Sequence, residues 1–174
     1  MSLTLISPPA AEPVSLAELK DHLKIGGAAE DALLAGLIVA ARQTIEAKFQ
    51  IAVVAQTWRL TLEGPDDKAV LLPISPVLSI DAVGLSRNGV AEVLAPGEYD
   101  AQTGTIGRVR THARHSDADL VVTFTAGWSD VAAVPEAMKL AIKLLAAHYH
   151  ENREGAPRIP DLASFVAPYR QVRL

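Results

Sequence analysis

Residues 34–62 read LAGLIVAARQTIEAKFQIAVVAQTWRLTL, and the spacing of the apolar side chains changes within this stretch. From Leu34 to Phe49 they recur every three to four residues, which is the period of an α-helix with one apolar face. From Trp58 to Leu62 apolar and polar residues alternate, as in a β-strand with one buried face. The stretch therefore predicts a helix that leads directly into a β region, and it assigns the chain to the α+β class.

Three helices are predicted, two before the β region and one after it. The first begins at a capping box, because Ser15 is followed three residues later by Glu18. The Gly26-Gly27 pair is expected to end this helix, since glycine tolerates the left-handed conformation that follows many helices. Pro135 suits the first position of the last helix. The three helices are placed at about residues 15–25, 30–49 and 135–152.

The β region is predicted to be an antiparallel module inserted into the helical bundle at about residues 51–130. Gly-, Pro-, Asn- and Asp-containing turn signals separate its strand candidates. We therefore expect one domain over residues 1–174, built from a small helical bundle and this β insertion, with a C-terminal tail at about 155–174. The strand candidates are 56–62, 70–72, 77–85, 90–94, 105–110 and 120–125.

The composition is that of a globular protein, and it excludes several kinds of site. The chain has 174 residues, of which 49% are hydrophobic and 21% charged, enough to bury an apolar core. Its 16 Lys and Arg against 20 Asp and Glu give a net charge of −4, so the chain lacks an overall basic character suited to nucleic acid. It has no cysteine, which excludes disulfides, thiol nucleophiles and cysteine-ligated metals.

Targeting and membrane segments are not expected. Residues 1–13 contain three prolines and no basic residue, unlike a signal peptide. The longest uncharged run is shorter than the roughly 20 apolar residues that a membrane span requires. We expect a protein made in a cytoplasm-like compartment, without a membrane partner.

No pattern of residues points to catalysis, a cofactor or a metal. His148 and His150 are two residues apart on a predicted helix, so their side chains point in different directions. His112 and His115 have a spacing that could hold a metal, but they lie in a polar stretch that also suits a solvated loop. Common nucleotide, hydrolase and metalloprotease motifs are missing from the sequence. We therefore expect no enzyme activity, although a hydrolase with an unrecognised site is one alternative.

Two features are candidates for binding. The proline-containing, aromatic and mildly basic C-terminal tail either folds back onto the helices or becomes ordered on contact with another protein. A basic patch late in the β region is either an exposed strand edge protected by charge or a nucleic-acid contact. The patch contains Arg108, Arg110, Arg114, His112 and His115.

Several short stretches, taken in order, resemble a known family. They are ISPPAAEPVSLAELK at 6–20, EDALL at 30–34, QTWRL at 56–60, FTAGW at 124–128, VPEAM at 134–138, AHYHENRE at 147–154 and LASFVAPYR at 162–170. Together they span nearly the whole chain. The sequence thereby resembles the head–tail connector, or adaptor, proteins of long-tailed phages and of phage-like gene transfer agents.

The resemblance implies a structural role without catalysis or a cofactor. It implies a homo-oligomeric ring, commonly of twelve copies, located in the neck of a virion or phage-like particle and assembled in the bacterial cytoplasm. Such a ring sits beneath the portal protein, extends the channel for packaged DNA and presents a surface to the stopper or tail-terminator protein.

The resemblance also implies roles for particular residues. The C-terminal segment is expected to embrace the portal, and its aromatic and arginine side chains are the types enriched at interface hot spots. The predicted docking residues are Phe165, Tyr169, Arg170 and Arg173. The basic residues predicted to face DNA in the channel are Arg108, Arg110 and Arg114. Truncation after Gly155 is expected to abolish portal binding and leave the helical fold intact.

Other classes of protein remain alternatives to a connector. A stand-alone protein-binding module would share every feature above except the neck partners. A DNA-binding regulator of phage origin would need a basic recognition helix, but residues 1–50 contain more acids than bases. Tight, salt-sensitive DNA binding by the isolated chain would favour the regulator.

Overall fold

A computed structural model describes residues 1–65, 69–87, 89–113, 117–152 and 161–169. In these ranges the helices are α1 (Leu16–Leu23), α2 (Asp31–Phe49), α3 (Glu136–Glu151) and α4 (Ala163–Val166), followed by a 3-10 turn at Ala167–Tyr169. The strands are β1 (Ser2–Ser7), β2 (Gln56–Glu63), β3 (Val70–Leu71), β4 (Val77–Arg87), β5 (Val90–Val93), β6 (Tyr99–Gln102), β7 (Arg108–Thr111) and β8 (Asp119–Ala126). The α+β class, with helices and an inserted antiparallel sheet, is confirmed.

Helix α1 begins as its sequence predicts and ends earlier. The Glu18 amide donates to the Ser15 hydroxyl at 3.2 Å, and the Glu18 carboxylate accepts from the Ser15 amide at 2.7 Å, so the capping box is formed. The helix ends at Leu23, and the left-handed residue after it is Lys24, with φ of 57°. The expectation that the Gly26-Gly27 pair ends this helix was therefore wrong.

The helices share one apolar core. Leu34, Ile38 and Ile45 of α2 are buried together with Met138 and Ile142 of α3. Polar contacts at the sides of this core also join the two helices, since the Thr44 hydroxyl lies 3.0 Å from the Tyr149 hydroxyl and His150 lies 3.0 Å from Glu30. The spacing of apolar residues along α2 identified this face from the sequence.

The strands form two antiparallel sheets. The larger has the order β1-β2-β8-β4-β5, and the smaller has the order β3-β7-β6. Strands β2 and β8 pair without interruption from Gln56–Ala126 to Glu63–Asp119, and alternate side chains of β8 are buried. A second apolar cluster, which includes Leu60, Val122 and Phe124, lies on one face of the large sheet. Alternation in the sequence correctly predicted this buried face.

Strand β1 is an element that the sequence did not predict. It pairs antiparallel with β2, with Leu3 opposite Leu60 and Leu5 opposite Trp58. The first 50 residues thus contribute an edge strand as well as two helices. Ser2–Ser7 alternates too weakly to be recognised alone, and only its partner β2 makes it a strand.

Residues 51–54 connect the two parts of the molecule. Ile51, Val53 and Val54 are buried in the helical core, and Ala52 between them is buried in the sheet core. From Ile51 to Val53 successive side chains alternate between the two cores, as in a strand, and Val54 joins Val53 in the helical core, so this short segment contributes to both cores. Within the described ranges, no helix is both long and apolar enough to cross a membrane.

Candidate interaction surfaces

Strand β7 carries the described part of the predicted basic patch. Arg108 and Arg110 are exposed on one face of the strand, while Val109 and Thr111 are buried on the other. Among the described residues, no carboxylate forms an ion pair with either arginine. Both arginines line an open cavity of about 390 Å³. Two arginines with free guanidinium groups on one strand face can contact phosphate oxygens.

The acid paired with Arg110 across the β6–β7 ladder contacts a histidine. Asp100 is opposite Arg110 in the β6–β7 register, but its carboxylate lies 3.2 Å from the His112 Nε2. The other ring nitrogen of His112 lies 3.0 Å from the Gly97 carbonyl oxygen. His112 is thus held by contacts with the chain itself. Arg114 and His115, the other members of the predicted patch, lie outside the described residues.

The described part of the C-terminal tail packs onto the helices. Leu162 is 2% exposed and Val166 0% exposed, both within the helical core. Phe165 and Tyr169 are half-buried against the same core, and the Tyr169 ring meets the Trp128 ring edge-on at 5.6 Å. Of the two structures that the sequence left open, residues 161–169 adopt the one that folds back. The predicted docking residues Arg170 and Arg173 lie outside the described residues.

A buried ion network that the sequence did not predict joins the N-terminal arm, the segment between β1 and α1, to α2 and β2. Arg42 donates to both carboxylate oxygens of Glu12, at 2.8 and 3.0 Å, and to Glu46 at 2.6 Å. The second oxygen of Glu46 accepts from the Val53 amide at 2.9 Å and from the Gln56 side chain at 2.5 Å. The sequence does contain a pattern that indicates this ion pair, because Arg42 and Glu46 are four residues apart on the apolar face of α2.

Burial acts on the charges of this network. Arg42 is 5% exposed and Glu46 9% exposed. Burial raises the pKa of the Glu46 carboxyl, and the Val53 amide and Arg42 oppose that shift. Each charged group of the network is engaged by an opposite charge, since Arg42 contacts both Glu12 and Glu46. The function of the network is to hold three segments together.

Neither a metal centre nor a catalytic constellation emerges from the described geometry. In the described ranges, no three His, Asp or Glu side chains are grouped as metal ligands would be. His148 and His150 are separate, since His150 contacts Glu30 on α2 whereas His148 lies near Asn152. The described surfaces offer charge and apolar area for binding to macromolecules.

The chain matches a family and several solved structures. The model of the family "head completion protein" matches residues 12–156. The neck of an empty gene transfer agent particle, computed with C6 symmetry, contains a chain that is 26% identical, with a TM-score of 0.82, and the match covers 100% of this chain and 97% of that one. The same coverage is found with the neck of a native particle computed with C12 symmetry, at 26% identity and a TM-score of 0.82. A chain in the virion of a native gene transfer agent matches with the same coverage, at 28% sequence identity and a TM-score of 0.83.

Among curated proteins, none matches the chain. The family match covers most of the chain, from the arm that bears Glu12 to the region just after α3. The structural matches extend over β1 and the C-terminal segment as well. The chain therefore belongs to the head completion protein family, structural proteins of the head–tail neck of phage-like particles.

Proposed function

We propose that the chain is the adaptor that forms a ring beneath the portal, joins the capsid to the tail and extends the DNA channel. The observation that carries this proposal is the whole-chain similarity to chains in particle necks computed with C6 and C12 symmetry. A ring of twelve copies fits both symmetries. The stopper or tail-terminator protein would then bind the face of the ring opposite the portal.

The role is structural and uses no catalysis, metal or cofactor. Neck proteins act by binding neighbours, and the described surfaces suit this purpose. One presents free arginines on β7, and another presents half-buried aromatic side chains beside Trp128. The division into one connector domain over residues 1–174 with a docking tail at 155–174 belongs to this proposal.

Co-purification with the portal protein encoded beside this chain tests the role directly. The two proteins would be co-expressed, sized by light scattering and imaged by negative stain. We expect a ring of this chain stacked on one end of the portal ring. Intact portal rings with no bound chain, in a sample where the chain is folded, would contradict the adaptor role. A chain that is monomeric when alone agrees with the proposal if the ring forms on the portal.

The tail is proposed to provide the portal contact. Phe165 and Tyr169 are held against the helical core, and Arg170 directly follows Tyr169 in the sequence. We expect the double change Arg170→Ser and Arg173→Ser to weaken portal binding at least tenfold. The matched control is Arg158→Ser, which removes one tail arginine outside the docking set. Equal binding by the double variant and the control would argue against this docking assignment.

The free arginines of β7 are proposed to face the DNA that passes through the ring. Contacts with phosphate are electrostatic and weaken as salt rises. We expect portal–ring complexes with Arg108→Gln and Arg110→Gln to retain a duplex less well at low salt, with a shallower salt dependence. Fluorescence anisotropy of a labelled duplex measures its binding and the salt dependence of that binding. Arg59→Gln is the control, since Arg59 is also exposed but lies on β2 of the other sheet. A similar loss with Arg59→Gln would contradict a specific role for β7.

A further inference from the structure

Strand β5 is an edge of the large sheet that exposes two valines. Among the described residues, β4 is its one strand neighbour. Val90 is 72% exposed and Val93 75% exposed, more than any other large apolar side chain described. They are three residues apart, so they lie on opposite faces of the strand. Proteins usually protect such an edge with charge, proline or a covering segment, but the one charged residue of β5, Glu92, pairs with Arg87 at 3.3 Å.

An apolar groove of about 280 Å³ lies at the other edge of this sheet. It is formed where β1 and the prolines that follow it approach α2. Arg42 and Glu46 also line it, but they pair with each other at 2.6 Å, and the other polar residues of its lining are the uncharged Gln43, Gln50 and Gln56. Apart from this ion pair, the groove is lined by apolar and uncharged polar side chains, and its volume is slightly smaller than that of a typical small-molecule site, about 300–1,000 Å³. Its apolar residues are Leu5, Pro8, Pro9, Ile51, Trp58 and Ile74.

These two surfaces lie where a ring requires them. A ring closes through a head-to-tail contact, in which each copy uses two different surfaces to meet its two neighbours. Strands β1 and β5 are opposite edges of one five-stranded sheet, roughly 19 Å apart at the usual strand spacing. The β5 edge exposes two apolar side chains, whereas the β1 edge borders a groove with apolar lining. On both sides the nearby charges are paired within the copy, so the contact would bury no uncompensated charge among them.

We propose that the β5 edge of one copy meets the β1 groove of the next copy and inserts one of its two exposed valines, Val90 or Val93, into it. This contact is the one that closes the ring. The inference rests on the proposed function, because the second copy is identified by the ring symmetry of the similar necks. It deepens that function by naming the two surfaces through which copies meet.

Cysteine cross-linking tests the contact, because the chain has no cysteine of its own. Either Val90→Cys or Val93→Cys would be combined with Pro9→Cys in one chain and assembled on the portal. Mild oxidation should give a ladder of covalent multimers for at least one of the two pairs. Each single variant should give no covalent dimer, because identical positions do not meet in a head-to-tail contact. The control pair is Leu33→Cys with Pro9→Cys, since Leu33 is an apolar residue 41% exposed on α2.

The outcomes separate this inference from the adaptor role. A wild-type chain that forms no ring on the portal contradicts the adaptor role, and this inference with it. A complete ring in which neither β5 pair cross-links, or in which the Leu33 pair cross-links equally well, overturns the inference alone. Covalent dimers from a single variant would show a symmetric contact and would also overturn it.

Two further measurements identify what occupies the groove. A benzophenone attached to Pro9→Cys should yield adducts of two copies of this chain, whereas an adduct with the portal or another neck protein would overturn the inference.

The double change Val90→Lys and Val93→Lys should leave the thermal midpoint of the free chain unchanged and weaken ring assembly at least tenfold. Leu71→Lys is the matched control on β3, since Leu71 is also exposed, at 48%. A complete ring with the double lysine variant at wild-type concentration would count against the β5 contact.

Discussion

At the scale of single residues, the buried ion network at Arg42 connects parts of the chain that are distant in sequence. Glu12 precedes α1, Arg42 and Glu46 lie on α2, and Gln56 begins β2. Such a network contributes little net free energy compared with an apolar replacement, but removing one member leaves a buried charge without its partner. We interpret it as the device that fixes the arm and the sheet to the helices.

Replacing Arg42 tests that interpretation. The change Arg42→Met keeps much of the side-chain volume and leaves Glu46 buried without its cation. The free energy of unfolding, measured in urea, should fall by about 3–5 kcal/mol. The exposed control Arg59→Met should change it by about 0.5 kcal/mol or less. Adding Glu46→Gln to Arg42→Met should recover part of the loss, because the buried charge is then removed. Equal effects of Arg42→Met and Arg59→Met would disprove the structural role.

At the scale of elements, helix α1 is specified locally at its start and by tertiary contacts at its end. The Ser15–Glu18 pair lies within one turn, so the sequence alone predicted the capping box. The end is different, because Lys24 adopts the left-handed conformation where glycines were available two residues later. The Ile25 amide donates to the Lys20 carbonyl oxygen at 3.0 Å and the Ile25 side chain packs against the helical core, so this contact takes precedence over the local preference for glycine. The bounds of α2 and α3 follow their apolar spacing more closely.

The capping box predicts an acid-sensitive contribution to stability. Hydrogen bonds from the Ser15 side chain and backbone hold the pKa of Glu18 below its ordinary value of 4.5. Because the pKa is lower in the folded state, the stabilisation is present above about pH 4.5 and is lost as the pH falls through the folded-state pKa. We expect Ser15→Ala to cost about 0.5–2 kcal/mol at pH 7, and to return the Glu18 pKa towards 4.5.

Carboxyl NMR titration and urea unfolding at several pH values measure both effects. Ser164→Ala, at an exposed serine of α4, serves as the control and should alter neither. The stability difference between wild type and Ser15→Ala should narrow below pH 4.5. A difference that stays constant from pH 7 to pH 3 would contradict the role of the Glu18 carboxylate.

At the scale of the whole molecule, the C-terminal segment is part of the helical core. Leu162 and Val166 are as buried as residues of α2 and α3. The expectation that truncation after Gly155 leaves the helical fold intact therefore does not agree with the structure. The packed part of the tail that the structure describes is 161–169, and Arg170 and Arg173 lie outside the described residues.

Two truncations distinguish these parts. Removal of every residue after Gly155 should lower the free energy of unfolding by several kcal/mol, at about 1.5–3 kcal/mol for each buried aliphatic side chain. Removal of every residue after Tyr169 should leave the thermal midpoint close to that of the full chain, because Leu162 and Val166 remain. Calorimetry measures both. If the chain that ends at Gly155 were as stable as the full chain, packing of the tail would not contribute to the fold.

The sequence by itself determined the class of the fold, the three main helices, the paired strands β2 and β8, and the family. These features rest on periodicity and short motifs. Each such pattern lies within one continuous stretch of the chain, so it can be recognised without knowing the folded structure. The tertiary structure alone decided that Ser2–Ser7 is a strand, that Arg42 joins Glu12 to Glu46, and that residues 161–169 fold back. It also decided that Val90 and Val93 lie across the sheet from an apolar groove. Each of these features depends on a partner far away in sequence, and the energy of such a contact exists only once the chain has folded.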